Sequence, residues 1–444
     1  MTTRRDFIKK LMAGAAAVSL GSVLPGVVSA RATGANERIR IGVIGVNSRG
    51  NALAQGFAKM KDCEVTCICD VDSRALAKCR EDIAKITGRK PRGERDLRRL
   101  LESEDVDAVV IAMPDHWHAA AAVLAMKAGK HVYLERPTWP KPADNELLIR
   151  AAVKYNRIVQ VGNQRRSWPN VIEAIAAIHA GEIGKVRYAK SWYVNNRPSI
   201  GVGKEVPVPE WLDWDLWQGP APRVKAFKDN IVHYNWHWFW HWGTGEALNN
   251  GTHFVDILRW GLGVEYPTLV TSVGGRYRFQ DDWETPDTQL ITYQFGDDAS
   301  CSWEGRSCNS TPVDGFGVGT AFYGETGTLF ISGGNEYRIA DMSGKTVKEV
   351  KSTLKFEEGN LLNPSEQLDV IHFQNWFDAI RKGEKLNSGI VDACISTQLV
   401  QLGNIAQRVG RSLRIDPTTG RILDDRDAEK LWGRTYEKGW EIRV

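Results

Sequence analysis

The chain has 444 residues, 42% of them hydrophobic and 25% charged, the balance of a soluble globular protein of two or three domains. A net charge of +4 is small for that length and gives no electrostatic case for a nucleic-acid partner. Seven cysteines, odd in number and without paired metal-ligand spacing, predict buried free thiols and no metal site.

Thr3-Arg4-Arg5-Asp6-Phe7-Ile8-Lys9 fits a twin-arginine export signal. The apolar stretch Leu11 to Val28 follows, and Val28-Ser29-Ala30 offers small residues for cleavage. Gly14, Gly21, Pro25 and Gly26 break that stretch, so no permanent membrane span is expected. Residues 1–30 are therefore set apart as a signal peptide, and the mature protein is expected in the periplasm.

Residues 38–46 (RIRIGVIGV) read as a buried parallel strand. The strand runs into Gly45-Val46-Asn47-Ser48-Arg49-Gly50. A dinucleotide turn needs glycine where the chain turns, where backbone approaches the diphosphate, and where helix meets strand. Gly45 and Gly50 supply the first and third, and Asn47 stands at the second. The helix from Ala52 to Met60 would point its N-terminus, with the amides of Asn47, Ser48 and Arg49, at the diphosphate.

Glu64 to Cys69 makes the next strand and ends at Asp70, twenty residues beyond Gly50. A carboxylate there binds the ribose hydroxyls of NAD and repels a 2′-phosphate, so NAD is favoured over NADP. Arg74, nearby in sequence, weakens that preference. The basic run from Arg89 to Arg99 reads as a solvated helix face. Val106 to Ala112 is a further strand, followed by Pro114 and by His118 in the first turn of an alanine-rich helix. Val132 to Leu134 is a short buried strand ending in Glu135-Arg136-Pro137. Ligands of open α/β sheets bind outside the carboxyl ends of strands, so chemistry is expected there. Ile158 to Val161 closes this sheet, with Asn163 just beyond it as a further cofactor contact.

The fold class is therefore α/β. A Rossmann dinucleotide-binding domain over residues 31–161 precedes an α+β domain over residues 162–444, whose sheet is mostly antiparallel and open. Strands are expected at 185–194, 268–278, 288–295, 300–306 and 328–331, with closing helices at 364–382 and 388–409. The long irregular excursion from Trp192 to Pro222 is too rich in tryptophan for disorder, and of the 17 tryptophans eight fall in the stretch between Trp211 and Trp260. Its densest part, Tyr234 to Glu246, reads either as an aromatic core strand or as a saccharide cleft where rings stack on sugar faces. Asn249 and His253, four apart on one helix face, can orient an alcohol and take its proton.

Together, the 45–50 turn, Asp70, Pro114 to His118, Glu135-Arg136-Pro137 and Asn249 to His253 resemble the Gfo/Idh/MocA oxidoreductase family. Trp242 to Glu246 with Gly251 to His253 is most similar to exported, sugar-active bacterial members. The resemblance implies tightly held NAD(P), a sugar or polyol substrate, and homodimers or homotetramers that pair the open sheets. The family usually has Glu-Lys-Pro, where this chain has Arg136, and often aspartate where it has Asn249. Neither residue accepts a proton at neutral pH. Base work falls by elimination on His253, with His241, His237 and Tyr234 in reserve and Arg136 holding the developing alkoxide. The expected activity is exported NAD-dependent oxidation of a sugar or glycoside hydroxyl. The alternatives are glycosidic cleavage through transient oxidation, with Glu246 as a spare acid, and a non-catalytic sugar-binding relative.

Overall fold

The computed structural model describes residues 38–138, 140–354 and 365–444. The twin-arginine segment lies outside the described residues.

The first sheet is parallel and six-stranded: β1 (Ile39–Ile44), β2 (Cys63–Cys69), β3 (Arg92–Glu94), β4 (Ala108–Ile111), β5 (His131–Leu134) and β6 (Val159–Val161), in the order β3-β2-β1-β4-β5-β6. Its central strands, β1 and β4, are almost wholly buried and rich in Val and Ile, as helices on both faces require. Cys67 and Cys69 face one layer and Ile68 the other, as period-two alternation demands. Strand order reverses between β1 and β4, so the turn after β1 and the loops after β4 and β5 open into one crevice.

The basic run at 89–99 is not a continuous helix face. Arg92–Glu94 pairs with the free edge of β2, Cys67 opposite Arg92, and only Leu97–Leu101 is helical. An unpaired strand edge needs hydrogen-bond partners, and Leu97, Leu100 and Leu101 are buried, so both demands override the surface charge.

The second sheet has ten strands: β7 (Val186–Val194), β8 (Leu269–Gly275), β9 (Thr288–Phe295), β10 (Ala299–Arg306), β11 (Val318–Gly324), β12 (Gly327–Ser332), β13 (Tyr337–Asp341), β14 (Thr346–Val350), β15 (Leu413–Ile415) and β16 (Ile422–Leu423). Their order is β14-β13-β12-β11-β7-β10-β9-β8-β15-β16, and every pairing is antiparallel except β7 with β10. In β9, Ile291, Tyr293 and Phe295 point into a core shared with helices 169–179, 252–262 and 390–409, while Leu290 and Gln294 face outward. The helix Glu366–Lys382 comes late in the chain but covers the first sheet. Phe373, Trp376 and Phe377 join Val43, Leu53 and Phe57 in one core, and Phe57 stacks on Phe373 at 4.0 Å.

Between the sheets, residues 195–248 form an aromatic cap. Trp214, Trp217, Trp236, Phe239 and Trp242 make a cluster of their own. Backbone bonds strap it to the first domain: Ser73 N–H to Trp211 O at 2.9 Å, Asp213 N–H to Val71 O at 3.1 Å and His116 N–H to Trp242 O at 3.2 Å. The core reading therefore holds for most of these tryptophans, and the cap forms the roof of the crevice. No described helix is long and apolar enough to cross a membrane.

Candidate active site

The crevice is one cleft, partly open to solvent, lined by the loops of the first sheet below and the cap above. Its nucleotide half is built mainly from backbone. Gly45 has φ +82°, a conformation L side chains avoid, and its N–H bonds Cys69 O at 2.9 Å. A Cβ on Gly50 would lie 1.7 Å from Gly45 O, so the helix start can pack this closely on the turn only with glycine. Asn47 and Ser48 are exposed where helix Arg49–Lys59 begins, on the lining of the cleft. These are the features of a diphosphate cradle at a helix N-terminus.

Asp70 ends β2 on the same lining. Its carboxylate accepts Val46 N–H at 2.6 Å and Asp72 N–H at 2.8 Å, which braces the turn and leaves further lone pairs for a ribose. Burial pushes its carboxyl up despite those two amides. Arg74 is bound to Asp72 and lies 3.4 Å over the Trp211 ring, outside the cleft lining.

Arg49 lines the cleft but is committed elsewhere. Its Nε bonds Glu135 at 3.0 Å, and its two Nη atoms grip Asp369 at 2.7 and 3.0 Å. It thus ties the turn to β5 and to helix 366–382. His118 places both ring nitrogens against carbonyls, Pro137 O at 2.6 Å and Met113 O at 2.7 Å. It locks the Pro114 loop to the β5 loop and offers a cofactor only its ring. Asn163 is buried outside the cleft lining, with neither amide atom partnered. Next to it, Gly162 packs so closely on Glu135 that a Cβ would come within 2.8 Å of Oε2. The glycine cradle and Asp70 fit a dinucleotide, whereas Asn163, expected as a cofactor contact, is buried behind Glu135 and Gly162 and does not reach the cleft.

The substrate half is built from side chains. Arg136 reaches from β5 to the start of helix Thr252–Leu262: its Nε donates to His253 Nε2 at 2.9 Å and its Nη1 to Asn249 Oδ1 at 3.1 Å. Asn249 Nδ2 donates to the Tyr234 hydroxyl at 3.1 Å. Asn249 lies in a single π-helical turn, Ala247–Gly251, against Trp303, where a Cβ on Gly251 would approach within 2.7 Å. This geometry changes the part His253 can play. Its acceptor nitrogen is occupied by Arg136, it is buried, and it does not line the cleft. Burial, helped by Arg136, Arg165 and Arg49, holds it neutral, well below the usual imidazole range.

His237 does line the cleft. Its Nδ1 bonds Tyr234 O at 2.6 Å, which fixes the proton there and leaves Nε2 as an acceptor. The ring stacks on Trp236 at 3.5 Å. Burial, with Arg136 and Arg197 nearby, keeps it neutral against the pull of the Tyr234 carbonyl.

Glu246 is not a spare acid. It accepts from Arg197 at 2.6 Å, Ser307 at 3.0 Å and Asn250, and it lies outside the cleft lining. Burial opposes its ionisation, but these partners hold its carboxyl below the usual range. His241 is exposed, bonded to Pro222 O at 2.9 Å, and does not reach the cleft. Among the described residues, Trp117, Trp217 and Trp236 do.

Sequence reasoning missed His233, which bonds Asp72 at 3.1 Å, and Asp115, whose carboxylate takes the Thr244 hydroxyl at 2.6 Å. Both line the cleft: His233 owes that position to the cap, whose path no local pattern encodes, while Asp115 sits in the loop after β4 and meets the cap only through Thr244. Among the described residues, no cluster of His, Cys, Asp and Glu could hold a metal.

Comparison with known proteins agrees with this geometry. The family described as "Oxidoreductase family, NAD-binding Rossmann fold" matches residues 39–163, and "Oxidoreductase family, C-terminal alpha/beta domain" matches residues 191–316 and 320–442. A glycosyl hydrolase family 109 protein from Shewanella sp. (strain ANA-3) is 36% identical over 154 residues, 30% of this chain and 33% of its own length. The 4-carboxy-2-hydroxymuconate-6-semialdehyde dehydrogenase of Sphingobium sp. (strain NBRC 103272 / SYK-6) is 30% identical over 43% of this chain and 58% of its own. The chain thus spans between a third and somewhat over half of these relatives. Levoglucosan dehydrogenase in complex with NADH superposes with a TM-score of 0.66, covering 86% of this chain and all of the other at 17% identity, a likeness of fold. With matches across both domains, the chain belongs to the Gfo/Idh/MocA family of NAD-binding oxidoreductases.

Proposed function

We propose that the protein oxidises a ring hydroxyl of a sugar or glycoside with NAD that stays bound and is reoxidised in a second half-reaction by reducing a carbonyl acceptor. The observation that carries this reading is the single cleft in which the glycine cradle meets the open Nε2 of His237, the Tyr234 hydroxyl and Arg136. When bound, NAD supplies the hydride acceptor. His237 takes the hydroxyl proton at Nε2, and its neutral state at working pH suits that task. Tyr234, held by Asn249, hydrogen-bonds the reacting oxygen. Arg136 anchors a second substrate group. Trp236 and Trp217 give the sugar ring apolar faces and exclude water.

A twin-arginine signal carries folded proteins, which accords with a cofactor loaded before export to the periplasm. The outward face of the second sheet carries half-exposed Tyr188 and Leu290, which favours pairing of two copies through it. The deciding experiment measures nucleotide released from purified protein, then absorbance of reduced nicotinamide on adding glycosides. Protein that neither carries nor takes up NAD contradicts the reading.

The similarity to a glycosyl hydrolase family 109 protein favours one second reading, glycosidic cleavage through transient oxidation. Oxidation would acidify the neighbouring C–H, elimination would release the aglycone, water would add to the double bond so formed, and return of the same hydride would restore the ring hydroxyl. His237 and Tyr234 then serve both proton transfers. Aglycone release without net reduced nicotinamide, together with solvent deuterium in the sugar product, distinguishes it.

A further inference from the structure

The arginines of this molecule are mostly matched to carboxylates. Arg49 is shared by Glu135 and Asp369, Arg197 grips Glu246, and Arg166 is bidentate on Asp256. Arg136 is different. Its guanidinium partners are an imidazole and an amide, both uncharged, and no carboxylate stands within 4.0 Å of it among the described residues. The neighbouring acids are otherwise occupied. Glu135 binds Arg49 and, at 3.3 Å, the Arg136 backbone N–H, while Asp115 takes the Thr244 hydroxyl. His253 and Asn249 consume Nε–H and one Nη1 proton, fixing the plane of the group. The other Nη1 proton and both on Nη2 remain for a ligand in the cleft that Arg136 lines.

A half-buried cation without a counter-ion, oriented by neutral acceptors, is a receptor for an anion. The planar fork also says which kind. A single hydroxyl needs one donor, which the ammonium usual at this position supplies as a point charge, whereas parallel guanidinium protons match the two oxygens of a carboxylate. Resting on the reading of this cleft as a sugar-oxidising site, we propose that the substrate is a sugar acid, a uronate, aldonate or acidic glycoside, whose carboxylate binds Arg136. The carboxylate neutralises the guanidinium and sets which hydroxyl is presented to His237.

The test uses NAD-loaded protein and measures binding by titration calorimetry for D-glucuronate, D-galacturonate and D-gluconate, for D-glucose and D-galactose, and for the methyl esters of the two uronates. Reduction of bound nicotinamide is followed in parallel. At least one acid is expected to bind about tenfold or more tightly than its neutral counterpart, an advantage of about 1.4 kcal/mol. The ester, which keeps the shape and removes the charge, is expected to bind like the neutral sugar. Arg136→Gln, compared at equal NAD occupancy, erases the difference between acid and ester, and the ester comparison stands on wild-type protein if that variant misfolds. Equal binding of acid and ester, or no binding of any acid up to about 10 mM, overturns the proposal. Oxidation of neutral sugars and esters as fast as of the acids also removes it, while leaving the oxidoreductase reading intact. Tight, charge-dependent binding of an acid without nicotinamide reduction keeps the carboxylate site and removes the oxidoreductase reading instead.

Discussion

The two halves of the cleft are made of different material. The nucleotide half is mostly backbone: a left-handed glycine, a helix start pressed onto it, and a carboxylate that braces the turn through two amides. The substrate half is mostly side chains drawn from three distant segments, with Arg136, Asn249, His253, Tyr234 and His237 joined by contacts between them. The first kind of site depends on where atoms cannot be, the second on which protons are where. One is sensitive to a single methyl group, the other to charge and tautomer.

The sharpest way to break the contrast is to add that methyl. Gly50→Ala forces a Cβ into the Gly45 carbonyl and is expected to abolish NAD binding, read as nucleotide released on denaturation beside a circular dichroism spectrum. The corresponding change in the other half removes an acceptor without touching the cradle. His237→Ala is expected to lower kcat by about 10²–10³-fold while bound NAD persists, the range for loss of a general base. If His253→Ala costs as much and His237→Ala costs little, the two histidines exchange roles.

Protonation sharpens the comparison further. His237 and His253 are neutral well below the ordinary imidazole range, so the rate should stay flat from neutral pH down to about 6.5 and fall only further into acid. Stability follows the same sign. His372, buried between the sheets, is pushed to about 4 chiefly by burial. The unfolded chain gains its proton below about pH 6.5 and the folded chain does not, so the contribution is full above that pH and is lost as the pH falls toward 4. Between pH 7 and pH 4.5 it amounts to about 2 kcal/mol, read from urea midpoints of wild type and His372→Gln at the two pH values. In the nucleotide half, Asp70→Asn should weaken NAD about tenfold and narrow the gap to NADP, measured as the two Kd values. Arg74→Ala, which takes the cationic partner from buried Asp72 outside the cleft, should cost about 1 kcal/mol of stability and leave that gap nearly unchanged.

The same contrast explains what could be read without a structure. Period, glycine position and the spacing to Asp70 are local, so the first sheet, its turn and the family were legible. Strands such as β9 and β10 were legible too, because they alternate plainly, but β11, buried at five successive positions and so without alternation, was not, nor were β13 and β14. Short edge strands such as β3 and β16 were not, since they exist only because a neighbouring edge needs partners. In the substrate half, residue types were legible and their roles were not. Choosing between His253 and His237 depends on which ring nitrogen Arg136 covers, a contact spanning 117 positions. Glu246 looked like a free acid because Arg197 and Ser307 come to it from other strands' ends.

The late helix Glu366–Lys382 has a consequence for the order of synthesis. Its Phe373, Trp376 and Phe377 cover Phe57, and its Asp369 holds Arg49 of the cofactor turn. A ribosome that has made only the first sheet has therefore made a cradle whose outer wall is missing and whose apolar flank faces water. Cofactor capture becomes an event of the nearly finished chain, and a fragment ending at residue 163 would be a poor stand-in for the domain it contains.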